Sequence, residues 1–195
     1  MIEYDIWDDN FSQFVVGADE VGRGSVAGPI IAASVRVGFQ HLEYFNDVKD
    51  SKKLTETKRS IIFKRIKETD IQVEYSLLTN HDIDSKGINY CNKLVLQNVL
   101  SIYFETGDLI YVDYVKGLGS KIIPLTKGED KSIAIALASI MAKVYRDSMM
   151  VKLSKEFPEY ELEKNKGYGT KNHLEAIKKY GPQSFHRKTF LKSFI

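Results

Sequence analysis

The chain has 195 residues, 43% of them hydrophobic and 28% charged, with a formal net charge of +2. That length suits one well-packed domain with room for a small appendage, and so small a charge does not by itself announce a polyanionic partner. A single cysteine, Cys91, excludes an internal disulfide and a cysteine-built metal site. The first ten residues carry Glu3, Asp5, Asp8 and Asp9, a net of −4, and lack the apolar core of a signal peptide. Residues 14–18 and 29–37 are β-branched or small and read as two strands around a glycine-rich turn. Thr55 is placed to cap a helix over 56–69, where Ile61, Ile62 and Ile66 fall at helical spacing. Residues 71–78 alternate as a third strand. Residues 81–104 have a helical pattern interrupted at Gly87, with Cys91 as a small packing residue, and 109–114 form a fourth strand. A long helix is predicted over 131–156. Its most apolar run, 133–142, is shorter than the ~20 residues that span a bilayer. A short helix over 173–180 is closed by Gly181-Pro182.

This order predicts an α/β fold: a mixed β-sheet flanked by helices, followed by a C-terminal helical extension. The expected division is a body over 1–157 and an extension over 158–195 belonging to the same domain. From residue 165 onward seven lysines and arginines face Glu175 alone, a net of +6, so residues 11–164 are balanced. A basic arm on a neutral body suits an anionic polymer, and a solvated surface explains it equally well. The expected setting is a soluble, cytoplasmic monomer without a membrane.

Four acids carry the chemistry. Asp19-Glu20 closes the first apolar strand and precedes Gly22-Arg23-Gly24. Two adjacent carboxylates repel unless a proton or cation separates them, and oxygen ligands suit a hard divalent ion. Neighbouring strand residues point to opposite faces, so both serve one site only if the chain bends at Glu20. Asp113 ends the fourth strand, where it either ligates a cation or caps a turn. Asp147 lies on the long helix one turn beyond Lys143, as its i,i+4 partner or as a fourth acid reaching the end of the sheet. Together they would hold two divalent ions roughly 4 Å apart, the arrangement for in-line phosphoryl displacement. His41, His81, His173 and His186 are scattered without metal-ligand spacing.

The residues Gly17-Ala18-Asp19-Glu20-Val21-Gly22-Arg23-Gly24-Ser25-Val26-Ala27-Gly28-Pro29 resemble the opening signature of prokaryotic ribonuclease HII. The resemblance continues through Asp50-Ser51-Lys52-Lys53-Leu54 and through residues 132–147, which end in Ala138-Ser139-Ile140-Met141-Ala142-Lys143-Val144-Tyr145-Arg146-Asp147. It ends with Asn165-Lys166-Gly167-Tyr168-Gly169-Thr170-Lys171, Tyr180-Gly181-Pro182 and His186-Arg187. It implies an RNase H-like fold and Mg²⁺- or Mn²⁺-dependent hydrolysis of RNA paired to DNA or embedded in duplex DNA, leaving 3′-hydroxyl and 5′-phosphate ends. It implies Asp19, Glu20, Asp113 and Asp147 as the catalytic, metal-holding acids. Gly22, Arg23 and Gly24 would read the ribose 2′-hydroxyl, Tyr168 would pack on the next sugar, and Ser51 and Lys52 would approach a phosphate. The 2′-hydroxyl separates RNA from DNA, and glycines let backbone come that near.

Two positions depart from the family pattern: Tyr114 follows Asp113 where glycine is usual, and Glu129 replaces a more common aspartate. The N-terminal extension of the sister ribonuclease HIII is not seen, and an aspartate as fourth acid also favours HII. A non-catalytic binding module would have lost an acid, and a resolvase-like nuclease would have no use for Gly22-Arg23-Gly24 with Tyr168. The aromatics of residues 189–195 either pack on the domain or reach a replication clamp.

Overall fold

The strand that carries the first two acids lies at the centre of the sheet. A computed structural model describes residues 1–45, 48, 54–115 and 117–192. In it, β1 (Val15–Val21) pairs antiparallel with β2 (Ile30–Val37) and parallel with β4 (Leu109–Asp113). β3 (Gln72–Leu78) adds antiparallel to β2, and β5 (Ile122–Leu125) adds parallel to β4. Among the described residues the sheet order is β3-β2-β1-β4-β5. The predicted mixed sheet is present.

Alternation along β1 divides its side chains between two cores. Val15 joins the core beneath α2 (Glu56–Lys67) and α5 (Ile133–Glu156), while Val16 and Ala18 join the core beneath α4 (Ile88–Leu100). The first strand was expected to stop at residue 18 and bend at Glu20. Instead β1 runs on to Val21, because its ladder with β2 continues through Glu20↔Ala32 and Val21↔Ile31. Asp19 and Glu20 therefore start from opposite faces, but at the end of the strand, where their carboxylates still lie close enough to act on each other, so one site does not require the bend.

Gly17 sets how closely α5 packs. A Cβ there would lie 2.2 Å from the Ala134 carbonyl carbon and the Ile135 nitrogen, so only glycine admits the helix backbone at this crossing. Ser132 caps α5 by accepting from the Ile135 N–H, as its position before the apolar run allows. A second cap comes from α1 (Ile2–Asp9), which was not predicted. Its Glu3 is wholly buried and accepts from Ser132 Oγ at 2.5 Å and from the Ala134 N–H at 3.1 Å. A carboxylate at a helix N-terminus offsets the macrodipole and the unpaired amides. One of the four early acids is thus a structural cap.

The helical stretch expected over 81–104 is two helices, α3 (Asn80–Lys86) and α4, broken at Gly87 with φ +81°. Thr55 caps α2 as expected, accepting from the Lys58 N–H. The C-terminal segment holds α6 (Leu162–Asn165), α7 (Lys171–Tyr180) and α8 (Lys188–Leu191). It shares a third core with Val26, Ala27 and Met150, so it packs on the glycine-rich loop and on the far end of α5.

Candidate active site

The β1–β4 register fixes the centre. Ala18 pairs with Val112, so the next step brings Asp19 level with Asp113 on the adjacent strand, and strands lie ~4.8 Å apart. Burial pushes the Asp19 carboxyl up to about 7; the charges of Glu20 and then Glu129 add to this, against a hydrogen bond from Ser139 on α5. Glu20 is also raised, first by burial and further by Asp113, while Arg23 and a hydrogen bond from Asn92 on α4 oppose the rise. Asp113 Oδ1 accepts from the backbone N–H groups of Tyr114 (2.9 Å) and Gly128 (3.0 Å).

Carboxylates that raise one another's pKa form an oxygen donor set short of positive charge, which fits a hard divalent cation. Each carboxylate is turned to a protein partner. Among the described residues no three Asp, Glu, His or Cys side chains close into a cage.

At the fourth position the sequence left two readings of Asp147 open, and the ion-paired one is seen. Asp147 pairs with Lys143 at 2.9 Å, its i,i+4 neighbour. It lines a hollow of about 370 Å³ with Arg59, Lys152 and Lys155. Glu129 instead lines the smaller hollow, about 180 Å³, that holds Glu20, Ser139 and Lys143, and its charge acts on Asp19. Lys143 and Arg59 border both hollows. Glu129 sits in the 3-10 turn 128–130 directly before α5, a placement visible only once that turn folds back on β4.

Beside the acids, residues 22–29 form a loop held by two wholly buried arginines. Arg146 donates to the carbonyls of Pro29 (2.9 Å), Lys166 (2.8 Å) and Ala27 (3.0 Å), and Arg187 donates to those of Gly28 (3.0 Å) and Arg23 (3.1 Å). The planar guanidinium suits such spread carbonyl bonding. Gly22 has φ +90°, and a Cβ on it would lie 2.3 Å from Arg146 Nε, so the loop requires glycine there. At Gly24 a Cβ would meet nothing within 4 Å. The fold makes no demand for glycine at that point.

Tyr168 joins this loop through a bridge to Ser25, and the Gly167 carbonyl accepts from the Val26 (2.9 Å) and Ala27 (3.1 Å) N–H groups. The half-buried Tyr168 ring lies 5.6 Å from the Arg146 guanidinium and 5.8 Å from Lys143 Nζ. Residues far apart in sequence thus share one surface with the acids. Ser51 and Lys52 lie outside the described residues. Sequence reasoning missed both arginines as loop clamps. Arg187 was counted in the basic arm, although it is fully withdrawn from solvent. The two histidines His173 and His186, scattered in sequence, meet at 3.2 Å.

The family profile described as Ribonuclease HII matches residues 16–193. The chain is 42% identical over 195 residues to the Ribonuclease HII of Clostridium acetobutylicum, covering 97% of this chain and 77% of that protein. Its fold is similar to the Archaeoglobus fulgidus RNase HII solved in complex with PCNA, with TM-score 0.76, 24% identity, and 90% and 92% of the two chains covered. It is also similar to Bst-RNase HIII solved with Mn²⁺, with TM-score 0.69, 21% identity, and 89% and 65% covered.

Proposed function

Because the chain belongs to the ribonuclease HII family, and is a type 2 ribonuclease H of a divalent-metal-dependent kind, we propose that it cuts duplex DNA 5′ to an embedded ribonucleotide and hydrolyses the RNA strand of RNA–DNA hybrids. The products are 3′-hydroxyl and 5′-phosphate ends. One observation carries the reading: a backbone loop clamped by two buried arginines, with open space at Gly24, stands directly beside the acid cluster. Such a loop can offer main-chain groups to a 2′-hydroxyl at fixed distance, and deoxyribose has nothing to place there.

Asp19, Glu20 and Asp113 would hold the metal, Mg²⁺ or Mn²⁺, with Glu129 as the fourth acid and Asp147 kept in the adjoining hollow by Lys143. Two divalent ions held there would supply the charge stabilisation that in-line displacement at a phosphodiester needs. The protein's own part is positional. Ser139 and Asn92 hold the carboxylates of Asp19 and Glu20 in place, Gly22, Arg23 and Gly24 read the ribose, and Tyr168 packs on the following sugar. Ser51 and Lys52 are assigned to a nearby phosphate by resemblance. Residues 158–195 serve as a substrate-binding extension of the same domain.

No helix among the described residues is long and apolar enough to cross a membrane. From the family alone we place the enzyme in the cytoplasm, as a monomer. Phe190 and Leu191 pack into the body, which argues against a free clamp-binding arm at that point.

The test offers a duplex with one ribonucleotide, an all-DNA duplex and an RNA–DNA hybrid, with each metal in turn. Cleavage 5′ to the ribonucleotide, with the all-DNA duplex untouched, is expected. Cleavage of the hybrid alone, or of all three equally, would contradict the reading.

A further inference from the structure

His173 and His186 face each other in the interior, Nε2 to Nε2 at 3.2 Å, with His173 wholly buried and His186 1% exposed. Two ring nitrogens share a hydrogen bond only if one bears the proton and the other the lone pair. The flanking bonds decide which. The Gln183 backbone N–H donates to His186 Nδ1 at 2.9 Å, so that nitrogen has no proton. A neutral His186 then carries its proton on Nε2 and donates it to His173 Nε2. His173 in turn keeps its proton on Nδ1, which lies 2.9 Å from the Tyr168 carbonyl oxygen. Every donor thus meets an acceptor in one direction only, from Gln183 through both rings to Tyr168.

A charged form breaks this order. Protonating His186 sets Nδ1–H against the Gln183 N–H, and protonating His173 sets two Nε2–H groups together. Burial holds both imidazoles below their usual range, and His173 presses His186 further, to about 4. The rings are enclosed by Tyr160 and Phe185. His186 is also bridged to Ala27, so the pair ties the clamped loop to the Tyr168 segment. The Tyr168 carbonyl takes one other backbone bond, from Thr170 at 2.8 Å.

We propose that His173 and His186 are positioning residues, a proton-ordered pair that fixes the Tyr168 backbone and thereby the approach of its ring to the nucleotide. This rests on the assignment of Tyr168 to the substrate. Neither imidazole is a catalytic residue.

Side-chain amides separate the two ends of the relay. Asn places its amide near the Nδ1 position and Gln near Nε2, so His173→Asn keeps a donor for the Tyr168 carbonyl and His173→Gln removes it. Cleavage of a duplex with one embedded ribonucleotide should fall about tenfold in kcat/KM for His173→Gln, the equivalent of one unmade buried hydrogen bond. His173→Asn should recover most of that loss. In a Tyr168→Ala background, His173→Gln should cost nothing further, because the relay acts only through Tyr168. Equal losses in both backgrounds, or equal losses for Asn and Gln, would overturn the proposal in favour of plain packing. An activity-independent check is ¹⁵N NMR of the wild-type imidazoles at neutral pH. His173 should be the Nδ1–H tautomer and His186 the Nε2–H tautomer, and the reverse assignment would also overturn it. If wild type fails to cut the duplex while the tautomers stand as stated, the functional reading fails and the relay geometry survives.

Discussion

Two glycines two residues apart answer to different causes, and substitution separates them. Gly22 is demanded by its left-handed backbone and by Arg146, so Gly22→Ala should cost roughly 2 kcal/mol or more in urea denaturation. Gly24 meets nothing and has ordinary backbone. Gly24→Ala should leave stability within about 0.5 kcal/mol while cleavage at a single ribonucleotide falls. Unchanged kinetics would remove Gly24 from the substrate surface. The fourth acid is decided in the same way. Glu129→Gln should lower kcat about tenfold or more, and Asp147→Asn should cost less, because Asp147 serves Lys143. The opposite ranking would return the role to Asp147. The family resemblance favoured Asp147 as the fourth acid, whereas helical spacing alone already pointed to its ion pair with Lys143.

The central helix and strand hold each other through Gly17. Gly17→Ala would drive a methyl group into the backbone of α5, so overpacking should cost ~1–3 kcal/mol or more and lower the melting temperature. A neutral result would mean that the crossing is looser than its 2.2 Å approach implies. Elements with strong local signals were legible from sequence: the Thr55 cap, the break at Gly87 and the apolar strands are encoded within a few residues. What escaped depends on distant partners. β5 is four residues with Pro124 inside it, too short for a periodic signal. Glu3 looks like one charge in an acidic start until Ser132 and Ala134 arrive from the far end of the chain. The bend expected at Glu20 is absent because β2 keeps pairing past it, which no local propensity records. The candidate site was legible as a set of residue types; the choice proposed between Glu129 and Asp147 rests on tertiary placement.

Across the whole molecule, opposed titrations shape stability. Buried neutral His186, at about 4 against 6.5 unfolded, takes up its proton in the unfolded chain first, so its contribution is lost as pH falls from about 6.5 to 4. Asp19, raised to about 7 from 3.8, takes up its proton in the folded state first, so its contribution is lost as pH rises through 7. Each slope approaches about 1.4 kcal/mol per pH unit, with opposite signs. These two groups should therefore largely cancel in the metal-free protein between pH 4 and 6.5. If Asp19 holds Mg²⁺ or Mn²⁺ as proposed, saturating metal would keep it ionised, and stability should then rise with pH across that range. A metal-saturated profile parallel to the metal-free one would contradict this.

Asp19, Glu20 and Asp113 are proposed to hold a divalent cation together, and metal binding tests this directly. Calorimetric titration of Mn²⁺ at pH 6, in buffers of different ionisation enthalpy, reads both affinity and protons released. Wild type should bind with release of close to one proton, from Asp19, and Asp19→Asn should bind more weakly and release almost none. Equal affinity and equal proton release in the two proteins would place the cation elsewhere.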